Sequence, residues 1–452
     1  MNLKKSLDLL LYYHKKRDKK ESIQSLKCGD ILFNSDLIIN KCKSIVFYNY
    51  AAILDKKYNK RAELKALEIE RSIILKFFNK KVSIEELSKI KSKNMNELLD
   101  IREKMLQSQN YQTPILKDFF KEIVSNVFQI SPPKCKYSIV AFGSHANQLA
   151  TSYSDFEFGF LISDTTQIPH FLNLSYILYI RIINLQETIL PHLLSEGKYL
   201  VKNGFNDTIS CVGLTFDGSG VSGKGNKTPF GDGKNFSLIQ TPLVMAQYLD
   251  RLDDKWWHDI DAHLCFELTN CVLIDGSNDL YKNYLMYIEK QLDVPYNDKI
   301  SLREYISFHH HIVQDLQKFK PTGDYSIVNV KRDLYLFPSI YINRLCLRHK
   351  IQEVGVFCRL QRLFEKKIIS KSEIKDYTWL FLNIFNIRMK THSYYKSHFE
   401  YASCKDFPKH TGRGIIYKID ETILELLFQI ISKMYSNFEN LTNFISKSKK
   451  QF

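Results

Sequence analysis

The chain contains no Cys-x-x-Cys pair and no cysteine/histidine cluster at zinc-binding spacing. Its nine cysteines, Cys28, Cys42, Cys135, Cys211, Cys265, Cys271, Cys346, Cys358 and Cys404, are scattered and read as buried thiols of a reducing compartment. A long apolar run is also missing. FLNLSYILYIRIINL (Phe171 to Leu185) comes nearest, but Arg181 interrupts it, and nothing reaches the roughly 18 uncharged apolar residues of a membrane span. That stretch reads instead as a buried helix. In the N-terminal MNLKKSLDLLLYYHKKRDKK, Asp8 breaks an apolar stretch too short for a signal-peptide core, and no small-residue cleavage site follows. The expectation is a cytoplasmic protein without a membrane span, with export by a route that leaves no such signal left open.

A nucleic-acid recognition module is likewise absent, as is any stripe in which aromatic and basic residues interleave. What the chain does have is a formal net charge of +15 and a pI near 9.1. That balance suits an acidic partner such as nucleic acid, an anionic membrane surface or a nucleotide, and it equally suits lysine-rich solvated faces that maintain solubility. With 452 residues, 44% hydrophobic and 25% charged, the chain is long enough for two or three cores.

Three regions follow from the patterning. In residues 1–130 apolar residues recur at spacings of three and four, as in SIVFYNYAAILDKKYNKRAELKALEIERSIILKFF, which predicts a helical region. SPPK (Ser131 to Lys134) is a rigid break. Residues 131–295 alternate: YSIVAF reads as a strand, SHANQLAT as a short helix, DFEFGFLI as a strand, PHFLNLSYILYIRIINLQETILPHLL as a helix and TISCVGLTFD as a strand. Residues 296–452 return to helical spacing. The expected fold class is α+β, a small mixed domain flanked by helical regions.

Chemistry concentrates in AFGSHANQLATSYSDFEFGFLISD. Residues two apart on a strand share a face, so Asp155 and Glu157 project together. Alone, such a pair suffers repulsion and desolvation unless it is solvated at the surface. A divalent cation resolves the conflict, since Mg²⁺ (or Mn²⁺) takes one or two carboxylates plus substrate phosphates. Gly143 allows close backbone approach, and Ser144 with the following amides could donate to a phosphate.

Gly-Ser followed by Asp-x-Glu in GSHANQLATSYSDFEFGFL resembles the signature of the nucleotidyltransferase-fold superfamily. More closely, Tyr153-Ser154-Asp155 is similar to the branch related to PII uridylyltransferase. NCVLIDGSNDLYKNYL and VKRDLYLFPSIYINRLCLRHKI are similar to the end of that branch's catalytic domain and to its substrate-binding helical domain, so the resemblance spans about 137–400. It implies an enzyme of the nucleotidyltransferase class, transferring a nucleoside monophosphate from an NTP to an acceptor hydroxyl with release of pyrophosphate. The implied acceptor is a protein; RNA, tRNA or a small molecule, and an inactive nucleotide- or partner-binding protein of the same fold, are the alternatives. The resemblance implies metal ligation and catalysis by Asp155, Glu157 and a third acid, Asp217 first and Glu267 second. Nucleotide binding falls to Gly143, Ser144, Lys331 and Arg332, with Arg388, Lys390 and His392 as further candidates. Where this branch commonly has an arginine after the turn, this chain has His145, Ala146 and Asn147.

Other signals are weaker. GSGVSGKG (Gly218 to Gly225) approaches a P-loop, but Gly225 replaces the required Ser or Thr and no helix can follow. Lys224, Lys227 and Lys234 there read mainly as surface lysines. His258-Asp259 reads as a surface pair, and His309-His310-His311 has no ligand partners at metal spacing.

Overall fold

Apolar residues at helical spacing in the first third build α1 (Lys19–Phe33), α2 (Ile38–Leu54), α3 (Asn59–Phe78), α4 (Ile84–Gln107) and α5 (Thr113–Phe128). The computed structural model describes residues 19–107, 113–185, 228–231, 236–260, 264–308, 312–320, 327–396, 398, 400–405 and 417–448. In α3 the buried face is Ala62, Ala66, Ile69 and Ile73, at steps of three and four. Asp55 ends α2, and its side chain accepts from the Lys57 amide to start a short turn. Asn79, left-handed at φ 50°, closes α3.

A four-stranded sheet follows, of order β3-β2-β1-β6: β1 (Tyr137–Ala141), β2 (Phe158–Ile162), β3 (Ile239–Gln240) and β6 (Val272–Gly276). β1 is central and antiparallel to both β2 and β6, while β3 runs parallel to β2. The apolar stretch around Arg181 is the helix α7 (Ile168–Ile183), buried as its composition predicts. Its one cation survives burial because Arg181 Nε meets Glu70 Oε1 of α3 at 2.8 Å, both side chains only 3% exposed.

The last third is helical in α14 (Phe337–Arg348), α15 (Val356–Glu365), α16 (Lys371–Tyr395) and α17 (Glu421–Ser448), with one correction. Helical spacing from Tyr325 onward missed a second sheet, β7 (Ile327–Asn329), β8 (Tyr401–Ser403) and β9 (Tyr417–Lys418). Strands of two or three residues have too few positions to show a period. The segment TISCVGLTFD, with Asp217, and the glycine-rich loop, with Lys224, Lys227 and Lys234, lie outside the described residues, as do His309 to His311. The architecture is thus mixed α+β and mostly helical.

One core cluster runs from α3 to α5 through the sheet to α14–α17. At its centre Phe156 stacks between Phe120 of α5, at 3.9 Å and 6°, and Phe158 of β2, at 4.4 Å and 12°. No helix among the described residues is long and apolar enough to cross a membrane. The Phe120→Ala variant should lose about 3 to 5 kcal/mol of unfolding free energy in urea titrations. A loss under about 1 kcal/mol would mean that α5 does not support the sheet.

Candidate functional site

Backbone alternation sets the site. Phe156 enters the aromatic stack, so its neighbours Asp155 and Glu157 face the other way, toward a cavity of about 370 Å³. Both precede β2, but Glu157 still accepts from the Phe142 amide at 2.9 Å, so the segment is extended and held against the end of β1. Asp155 is 7% exposed.

The turn α6 (Gly143–Ala146) lies beside them. Gly143 is left-handed at φ +56°, and a Cβ there would lie 1.7 Å from Glu157 Oε2. Only glycine admits the carboxylate. The Gly143 amide donates to Glu267 Oε2 at 3.0 Å, so the amide expected to meet a phosphate is engaged by an acid here. Glu267 lies on α10 (Leu264–Thr269), a helix rather than a neighbouring strand. Of the two candidates for a third acid, it is the one the described residues bring to the cavity. Ser144 also lines the cavity.

Cations come from the last third. Val330–Leu336 forms a π-helical segment between β7 and α14, and Lys331 and Tyr335 on it line the cavity. Burial works against the Lys331 ammonium, but Asp155, Glu400 and Glu157 outweigh it and raise its pKa above the ordinary lysine value. Arg332 does not line the cavity; it pairs with Asp333 and is half exposed. Arg388 of α16 does, and its Nη2 donates to Glu400 Oε1 at 2.7 Å in a fully buried pair. Lys390 is exposed on the far side of that helix's buried face.

Two histidines converge on the same Glu400 oxygen. His392 Nε2 lies 3.0 Å from it and His398 Nε2 3.5 Å. The opposite nitrogens also face polar groups, His392 Nδ1 at 2.8 Å from Thr151 Oγ1 and His398 Nδ1 at 3.8 Å from Asp155 Oδ2. Burial opposes the Glu400 carboxylate, yet Arg388, His392 and His398 hold it well below the usual range. Burial lowers both imidazoles, His398 to about 4. The resemblance had offered only His392, and no local signal marks His398 or Glu400.

Beside the Arg388–Glu400 pair and the Arg344–Asp315 pair at 2.7 Å, the cavity is lined by the acids Asp155, Glu157 and Glu267 and by Lys331 and Lys318. An oxygen-only set of carboxylates fits a hard divalent cation such as Mg²⁺. The opposite wall is apolar, with Phe266, Phe319, Leu336 and Ile340.

Asn147 also lines the cavity. Its Nδ2 donates to Tyr335 Oη at 3.1 Å, and its Oδ1 accepts from Asn270 at 3.1 Å and from Arg359 of α15 at 3.2 Å. His258 corrects the surface reading: it is 1% exposed and stacks on Trp256 at 5.6 Å, while Asp259 is exposed. A two-residue strand before it turns its ring into the aromatic cluster.

No family model matches the chain, and no curated protein is significantly similar to it.

His145, between Phe120 and Phe156, has its pKa lowered to about 4 by burial, against which an Asp155 backbone hydrogen bond acts. A lowered histidine binds its proton more readily when unfolded, so its contribution is complete above about pH 6.5. It is lost as the pH falls toward about 4. Denaturant unfolding across that window should show falling stability, with a shallower fall in His145→Leu; an identical slope in the variant would refute the assignment.

Proposed function

We propose that the chain is a metal-dependent nucleotidyltransferase that transfers a nucleoside monophosphate from an NTP to a hydroxyl, on a protein in the first instance. The observation that carries the reading is the convergence of Gly143, Ser144, Asp155, Glu157 and Glu267 on one cavity that Lys331 also lines. The resemblance of Gly-Ser and Asp-x-Glu to the nucleotidyltransferase superfamily supports it, and so does the apolar wall, which is chemically suited to a base. Asp155 and Glu157 would hold Mg²⁺ or Mn²⁺, which supplies charge neutralisation for the triphosphate.

The protein's own residues do the rest. Lys331 offsets charge on the phosphates, and the Glu400 pair fixes Arg388 at the cavity wall. Glu267 exchanges its hydrogen bond from Gly143 for the acceptor hydroxyl and takes that proton as general base. The acceptor oxygen bonds to the α-phosphorus as the bond to pyrophosphate breaks, without a covalent enzyme intermediate. The choice of a protein acceptor rests on kinship with uridylyltransferases and is an analogy.

Incubating the full chain with each α-labelled NTP, Mg²⁺ or Mn²⁺, cell lysate and total RNA tests this. Label should appear on protein and fall in Asp155→Asn by more than the roughly 10- to 100-fold typical of outer-shell substitutions. Label on RNA alone would reassign the acceptor, and no label with any NTP would reject transferase activity in favour of binding without turnover.

A further inference from the structure

We propose that His392, His398 and Glu400 form a second metal site, selective for a borderline divalent transition cation of the Zn²⁺ class and separate from the oxygen-only Asp155/Glu157/Glu267 set. The ligating atoms of the three lie within 4.8 Å of one another. Glu400 Oε1 is 3.0 Å from His392 Nε2 and 3.5 Å from His398 Nε2. A tetrahedral zinc ion with ligands near 2.0 to 2.1 Å sets its ligand atoms about 3.3 Å apart, so both separations approximate edges of that polyhedron.

The surroundings are those of a ligand set. Metal-bound imidazoles use their second nitrogen on an outer partner that fixes ring orientation, and bound carboxylates are themselves held by hydrogen bonds. His392 has Thr151 Oγ1 at 2.8 Å, His398 points Nδ1 toward Asp155, and Glu400 has Arg388 at 2.7 Å. Two histidines and one glutamate make three protein ligands, which leaves a fourth position of a tetrahedron for water or substrate. His398 lines the cavity, so the three ligands border the proposed nucleotide site. Imidazole nitrogen discriminates against Mg²⁺ and favours zinc, cobalt and nickel, so the two sites need not compete. Arg388 and Lys331 oppose a cation here, and Glu400, Asp155 and Glu157 counter them, as the raised Lys331 pKa reports.

Co²⁺ alone, in excess Mg²⁺, is the probe. Chelator-stripped full-length protein titrated with Co²⁺ should develop an intense visible band of tetrahedral type at one equivalent, which Zn²⁺ bleaches. His392→Ala and His398→Ala should lose the band, Thr151→Val should weaken Co²⁺ binding roughly 10- to 100-fold, and Glu157→Ala should retain it. Circular dichroism checks folding; if His392→Ala does not fold, the partly accessible His398→Ala decides. No band in the wild type, or one that persists in His398→Ala, overturns the proposal, as does a band lost in Glu157→Ala, which would put the ion in the oxygen site. None of these readouts depends on nucleotidyl transfer, so failure of either idea is distinguishable from failure of the other.

Discussion

The buried carboxylate of Glu400 organises the functional half of this molecule. An ionised carboxylate away from water is tolerated only with strong partners, and removing one partner of a buried pair typically costs about 3 to 5 kcal/mol. Glu400 takes Arg388 and His392 from α16 and His398 from the loop before β8, and its carbonyl accepts from the Val330 amide at 2.7 Å. The end of α16, the loop before β8 and the distant Val330 segment are thereby fixed around one residue. Because Val330 begins the π-helical segment, the same anchor sets where Lys331 and Tyr335 face. The wide turn is consistent with the tendency of π-helical turns to occur at functional positions.

The N-terminal helices supply the opposite support. Arg102 of α4 lies over the Tyr153 ring at 3.7 Å and donates to the Ser152 carbonyl at 3.3 Å, while Phe120 of α5 closes the stack on Phe156. Together these contacts hold residues 152 to 156 from behind. The acids need that restraint, since repulsion between Asp155, Glu157 and Glu267 would otherwise drive the segment apart. A region whose sequence gave no chemical signal thus acts on the site through packing.

Local features of the site were legible in sequence and distant ones were not. Asp155 and Glu157 could be read because a period of two is a property of three consecutive residues, whereas Gly143, read as giving a phosphate close approach, proves to make room for the Glu157 carboxylate, which no local pattern shows. Lys331 and Arg332 were inseparable as neighbours, and only the π-helical turn sends one into the cavity and the other to Asp333. Glu267, Arg388, His398 and Glu400 reach the site through tertiary folding, and no spacing rule connects residues more than a hundred positions apart. The helical regions were legible because long amphipathic segments repeat their period many times. The β7-β8-β9 sheet was not, because its strands are shorter than the pattern needed to recognise them.

Asn147 couples the Gly-Ser turn to a buried cation behind it. Arg359 is 5% exposed, and among the described residues its guanidinium is held by neutral acceptors: the side-chain oxygens of Asn147, Asn270 and Asn343 and the Glu353 carbonyl. Burial lowers its pKa, against which the nearby Glu353 carboxylate acts, but an arginine stays protonated, so a positive charge persists there. Asn147, Asn270 and Asn343 all line the cavity. They turn their oxygens back toward Arg359, and the Asn147 amide turns outward to Tyr335. The start of α15 is fixed by backbone bonds from Gly355 and Val356 to Ala146 and Asn147, so the arginine cannot shift independently of the Gly-Ser turn. A cation solvated by amides and rigidly coupled to the turn exerts its field on the acids without occupying the volume that a substrate needs.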